Sequence, residues 1–446
     1  VENMYYAPVA TVAPLYNYPD SIYCFLADVD PWPNDLDPPT PLQDQKSLKQ
    51  LLKRVFVSKK ITSNDIAPVI KRINWTSGTV YDYYRDDINM LEIDQNGSPV
   101  YSFYVKNRYD QVFKCLWNAN GDPSTSEPYF EPGAYSTNNI YKGTDGYKWK
   151  YMYTIDGSLK IKFMDDGWLP VPIGVGYVPN PLINPSNLAV APGIGNIDVI
   201  NVIDGGSGYD PANDTISIVI TGDGTQAAAT PVIEGGVVTD IIMTNTGTNY
   251  SYANASITST MGSGAEFIVP VSPIGGHGLD SISELGCSHV MIVSEFNGSE
   301  SGKIPTDITY HQVGVLVNPV DQSSSPENAN GTIYKTSTDI VVAPGFGDYA
   351  SVEYIYQGTS LSSATFYAQV LSFDSSNNII KTINTQGTLK LNASIFGNSS
   401  STVRTVLSYS SPILVTLSGY PIFLENRSGI QRSADGTEQV KIVLGY

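Results

Sequence analysis

Three histidines are the scarcest chemically useful side chains in this 446-residue chain. His277, His289 and His311 stand far apart, and none has a second histidine or a cysteine at i, i+3 or i+4, the spacing of a helical metal or proton-relay pair. Each therefore reads as a structural or surface histidine. Cys24, Cys115 and Cys287 are odd in number and isolated, which argues against a disulfide framework and against a zinc ribbon. Gly205-Gly206-Ser207-Gly208-Tyr209 resembles a nucleophile elbow, but Tyr209 occupies the place of the closing glycine. No GxxxxGK[ST] loop for phosphate exists. Glu92, Asp94, Asn96 and Gly97 mimic the opening of a calcium loop, yet the twelfth position is Phe103 where a bidentate Glu is required. Asp86-Asp87 and Asp165-Asp166 sit beside turns, whereas glycoside hydrolysis needs two carboxylates converging across a cleft. The expectation is no catalytic, cofactor-binding or metal residue, and a protein that is not an enzyme.

The elements that would position any such groups are mostly strands. Asp145-Gly146 is a turn dipeptide. After it Tyr147, Trp149, Tyr151, Tyr153 and Ile155 alternate with Lys148, Lys150, Met152 and Thr154. A period of two places the two sets on opposite faces of a sheet. The aromatic set predicts a deep β core, and the lysine set a face turned to solvent or to a neighbouring subunit. Pro-rich stretches at Asp30-Pro31-Trp32-Pro33 and Asp37–Pro41 cannot be helix interior. One amphipathic helix is expected near 46–58, with Leu48, Leu51, Leu52 and Val55 forming an i, i+3, i+4, i+7 stripe. Thr62 to Asp65 offers a cap for a second helical turn that Pro68 cuts short. Asn96-Gly97 between Leu91–Asp94 and Val100–Val105 predicts a hairpin. Ile340–Val415 alternates weakly and reads as sandwich strands. A terminal hairpin is expected around Asp435-Gly436.

Charged residues make up 15% of the chain, against ~25% in average soluble proteins. Tyrosine is abundant at 30 residues, and the formal net charge is −18. A polar, weakly charged, Tyr-rich surface suits contact with protein or carbohydrate. The acidity sets nucleic-acid binding aside. One stretch differs: Lys46, Lys49, Lys53, Arg54, Lys59, Lys60, Lys71 and Arg72 share it with Asp65 as the single acid. It reads as a solvated helix face, with docking on an acidic neighbour as the functional alternative. No run of 18 apolar residues occurs, so no membrane-spanning helix is expected.

Pro179, Pro181, Pro185 and Pro192 mark a linker. Beyond it a Gly-rich pattern occurs twice: Ile197–Ile203, Gly205–Tyr209, Ile216–Ile220 and Gly222–Gly224, then Val238–Met243, Thr246–Tyr250, Ala255–Thr258 and Gly262–Gly264. Tyr209 and Tyr250 are about 41 residues apart, and Gly224 and Gly264 about 40, a duplicated all-β unit. Two units are too few for a solenoid, so an inserted, peripheral β-module is expected. The division follows: 1–178, an N-terminal β-rich domain; 179–273, linker and inserted duplicated module; 274–446, a C-terminal β-sandwich whose last strand packs on the N-terminal domain. The fold class is mainly β, in multidomain sandwich layers with a short N-terminal helical segment.

Six blocks in order carry a resemblance. They are Asp30-Pro31-Trp32-Pro33; Pro68 to Trp75; Phe113-Lys114-Cys115-Leu116; Asp145 to Tyr153; His311 to Pro319; and Leu424-Glu425-Asn426-Arg427. Together the chain resembles the dimeric baseplate wedge subunit of T-even-like contractile-tailed bacteriophages. The resemblance implies a virion structural protein without enzymatic role or cofactor, a homodimer of β-sandwich layers packed against neighbouring wedge proteins in the tail baseplate and assembled in the host cytoplasm, with no nucleic-acid or membrane partner. It carries over no functional residue. The duplication from Asn196 to Ser272 departs from the family pattern. Two other classes stay open: a carbohydrate- or receptor-binding tail protein, marked by a solvent-facing aromatic platform on the module, and a tail-associated glycan hydrolase.

Overall fold

The computed structural model describes residues 21–95, 97–131, 139–173, 195–322 and 328–445. The Pro179–Pro192 linker and Asn96 lie outside them. The chain is mainly β, in several antiparallel sheets, and forms two compact units. One holds the residues up to Ile66 together with those from Met291 onward; the other is Ala67–Val290. The sequence-based boundaries at 178 and 273 both fall inside the second unit.

In the first unit a five-stranded sheet runs in the order Ile333–Lys335, Val55–Lys60, Ile22–Ala27, Ile308–Val317, Tyr420–Arg432. Phe25 lies opposite Gly314, and a Cβ on Gly314 would run into the Phe25 ring. The glycine is there because the neighbouring aromatic fills its side-chain space. The amphipathic helix spans Gln45–Arg54, capped by Asp44, whose side chain accepts from the N–H groups of Lys46 and Ser47. Leu48, Leu51 and Leu52 pack on Phe25, Ala27 and Leu316. The helix stops four residues short of the expected 58. Val55, Phe56 and Val57 enter the ladder with Ile22–Ala27, where β-branched and aromatic side chains are favoured. A 3-10 turn, Ser63–Asp65, follows as expected.

Ile340–Val415 is where sandwich strands were expected. There Thr338–Val342, Ile379–Gly387, Phe366–Asp374, Tyr354–Gln357, Ser394–Gly397 and Val403–Ser410 close a six-stranded barrel. Ile340, Ile355, Val370, Ile380 and Val406 fill its interior, and closure removes the unpaired strand edges an open sheet would leave. The terminal hairpin does not form as a pair. Tyr420–Arg432 joins the five-stranded sheet, while Thr437–Gly445 belongs to another.

The second unit is built on a four-stranded sheet ordered Tyr104–Lys106, Gln111–Asn118, Tyr147–Thr154, Ile140–Lys142. Tyr147 and Trp149 stack, with Tyr81 edge-on to Trp149. They form one core with Phe113 and Cys115. The ladder shifts register between Val112 and Phe113, and Tyr153 and Ile155 pack in a different core with Met152 and Leu116. The strict alternation therefore holds only as far as Tyr151. The expected hairpin closes only briefly: about the bridge Ile93–Pro99 the Asp94 N–H donates to the Ser98 carbonyl and the Val100 N–H to the Glu92 carbonyl, with the Gly97 N–H returning to the Asp94 carbonyl in the turn.

The duplicated segment forms six strands: Asn201–Ser207, Ser217–Gly222 and Thr225–Glu234, then Val237–Thr248, Ala253–Thr258 and Ser263–Ile268. The first strand of each repeat pairs with the third strand of the other, and the two middle strands pair together. The repeats thus close on each other about an approximate dyad, which is why two suffice where an open stack needs more. Tyr209 and Tyr250 are both buried. A Cβ on Gly262 would overlap the Tyr209 ring, and one on Gly224 the Tyr250 ring. Gly262 is therefore the counterpart of Gly224; the place of Gly264 is taken by Gln226, which shares its positive φ. This corrects the 40-residue spacing read from the sequence.

Candidate functional site

The chemistry-bearing groups of the second unit converge on the face of the four-stranded sheet opposite the stacked aromatics. On Gln111–Asn118, Lys114 lies between Val112 and Leu116 in the period-two pattern, so a lysine projects into an apolar core. Lys114 is fully buried, and Lys148 and Lys150 are also buried. This overturns the expectation that the lysine face of the aromatic strand meets solvent or a neighbour. The face is covered from within by the module and by the segment following it.

Each buried charge carries a large desolvation cost and needs an internal answer. Lys114 Nζ lies 3.1 Å from Glu284 Oε2 and 3.1 Å from His277 Nδ1. His277 Nδ1 is 3.3 Å from the same Oε2. Glu284 Oε1 accepts from the Gly278 N–H at 2.7 Å, and the His277 N–H donates to Asp198. The Tyr84 ring sits over Lys114 Nζ at 3.9 Å and edge-on to His277 at 4.7 Å. Burial pushes the Lys114 pKa down against the pull of Glu284. Burial would raise the Glu284 carboxyl, but Lys114 and His277 overcome it and hold it at about 2. Burial and then Lys114 lower His277 to about 4, so its imidazole is neutral at pH 7. A cavity of about 250 Å³ reaches this cluster, lined by Met90, Phe103, Pro273, Lys114 and Glu284 among others.

Lys148 Nζ pairs with Asp240 of the module at 2.9 Å and donates to the Ile200 carbonyl. Lys142 reaches the other Asp240 oxygen at 2.7 Å. The module is thereby tied to the main sheet by a buried ion pair.

The remaining sequence candidates are scattered. His289 leans on the Trp168 ring, and burial followed by Lys71 lowers it to about 4. His311 sits against Asp35 and the Trp32 ring, in the first unit. All three cysteines are buried thiols outside any disulfide. Asp86 and Asp87 line the same cavity as Glu284; Asp86 accepts from the Val271 N–H, and Asp87 is bound to Arg85. The basic run is not one face: Arg54 pairs with Asp28 and Asp30, Lys59 with Glu300, Lys71 lies over Trp168, and Arg72 binds the Asp165 carbonyl. Lys46 and Lys49 remain exposed on the helix. No group of three or more His, Cys, Asp or Glu with metal-holding geometry occurs among the described residues, and none of the described helices is long and apolar enough to cross a membrane.

Sequence reasoning missed the Lys114–His277–Glu284 cluster because its members are up to 170 positions apart. The available signal was Val112 and Leu116 flanking Lys114 at i±2, which marks its face as buried. No protein-family model matches the chain, and no curated protein matches it.

Proposed function

We propose that this chain is a structural subunit of a contractile-tail baseplate wedge, acting through protein–protein contacts and without turnover. One observation carries the structural half of this reading: the buried charges of the candidate site are consumed in ties between distant segments, Lys114 with Glu284 and Lys148 with Asp240. Such ties make a rigid block rather than a cleft open to substrate. The place in a baseplate rests on the six ordered blocks, from Asp30–Pro33 to Leu424–Arg427. The carbohydrate-binding alternative called for an aromatic platform on the module. Of the module's three tyrosines, Tyr209 and Tyr250 are buried and only Tyr252 is exposed, so the platform is missing. The test is electron microscopy of the intact contractile tail. Density for this chain at the baseplate periphery, in wedge stoichiometry, is the expected result; a tail without it ends the assignment.

A further inference from the structure

We propose that Lys114 and Glu284 become joined by an isopeptide bond that the protein forms on itself. The geometry brings an amine, a carboxyl, a proton carrier and backbone donors together in one buried cluster. The nucleophile is Lys114 Nζ, 3.1 Å from Glu284 Oε2, with both side chains buried at 0% and 2% exposure. The proton carrier is His277 Nδ1, within 3.1 Å of the amine and 3.3 Å of the same carboxyl oxygen. The other oxygen, Oε1, receives the Gly278 N–H at 2.7 Å, with the Asp280 N–H at 3.4 Å. The Gly278 N–H is at the distance an oxyanion donor needs, with the Asp280 N–H as a longer second contact.

The chemistry balances without a co-reactant. One proton passes from the Lys114 ammonium to the Glu284 carboxylate, giving a neutral amine beside a carboxylic acid. Removing two charges from water favours this exchange, and it works against the ion pairing that holds the Glu284 carboxyl at about 2 in the resting cluster. The Nζ lone pair then adds to Glu284 Cδ, and negative charge develops on Oε1 under the Gly278 N–H. His277 Nδ1 takes a proton from Nζ and returns it to Oε2. The Cδ–Oε2 bond breaks, and Oε2 leaves as water into the cavity that both residues line. One C–N bond forms, one C–O bond breaks, one water is released, and nothing is oxidised or reduced. Enforced proximity replaces the activation that amide formation needs in free solution. The Tyr84 ring at 3.9 Å from Nζ and edge-on to His277 holds amine and imidazole in register.

The bond would span 170 residues and enclose the whole duplicated module, fastening one of the two inner strands of the sheet to the segment that follows the module. That is a mechanical function, independent of which assembly the protein serves.

The test is intact-mass spectrometry on the purified, denatured full chain. The wild type is expected to be one water lighter than its sequence, with a proteolytic map showing a branched peptide that carries both Lys114 and Glu284. Lys114→Arg is expected to restore the full sequence mass, and His277→Ala to leave a large unlinked fraction that a folded-state incubation converts slowly. A wild-type chain at full sequence mass, with Lys114 and Glu284 recovered in separate linear peptides, overturns the proposal. That measurement needs no variant to fold.

Discussion

His289 shows how one buried side chain sets a pH limit. Its imidazole is held near 4 by burial and by Lys71, against about 6.5 in an unfolded chain. The unfolded state therefore takes up the proton first as pH falls. The stabilisation is complete above about 6.5 and is lost progressively towards 4, at most roughly 3 kcal/mol for the full shift. His277, lowered to about 4 by burial and Lys114, acts in the same sense. Urea midpoints are expected to drop clearly between pH 7 and pH 4.5, and His289→Phe, which keeps a ring against Trp168, is expected to flatten part of that slope. Equal midpoints at the two pH values would remove the argument.

At the scale of elements, the module depends on two close approaches and one ion pair. Gly262→Ala would push a methyl group into the Tyr209 ring, as Gly224→Ala would into Tyr250. Overpacking of this kind costs about 1–3 kcal/mol. Gly157→Ala, at the open first position of helix Gly157–Phe163, serves as the control and is expected to change stability little. Thermal or urea unfolding of the three variants reads the difference. The Lys148–Asp240 pair is a sharper case, with side chains 8% and 13% exposed. Asp240→Ala leaves a buried ammonium without its carboxylate, at a cost of about 3–5 kcal/mol. Lys148→Met combined with Asp240→Leu is expected to recover most of that loss. If Asp240→Ala alone is neutral, the module is not held by this pair. Because the module tethers Lys148, deleting Asn196–Ser272 is expected to destabilise the rest of its unit, contrary to a purely peripheral insertion.

For the whole molecule, the prediction is assembly. Val403, Leu407 and Tyr409 alternate along one barrel strand and are each about half exposed, an apolar stripe facing outward. With the resemblance to a dimeric wedge subunit, this leads to a homodimer in solution. Light scattering is expected to give twice the 48.3 kDa chain mass; a monomer at every concentration would count against the transferred assembly.

Local pattern determined a good deal by itself. The turn at Asp145-Gly146, the stacked Tyr147 and Trp149, the leucine stripe of the helix and the duplication around Tyr209 and Tyr250 were legible, because period, turn chemistry and repetition are properties of neighbouring residues. Helix length was not, since Val55 to Val57 gave more to a ladder with Ile22–Ala27 than to another helical turn. Barrel closure, the reciprocal pairing of the repeats, the burial of Lys148 and the partners of Lys114, whose face the flanking Val112 and Leu116 already mark as buried, were decided only by tertiary structure. A lysine at an alternating strand position looks the same whether water or a carboxylate lies opposite. Glu284 and Asp240 stand 170 and 92 positions away, and only the folded chain brings them within hydrogen-bonding reach.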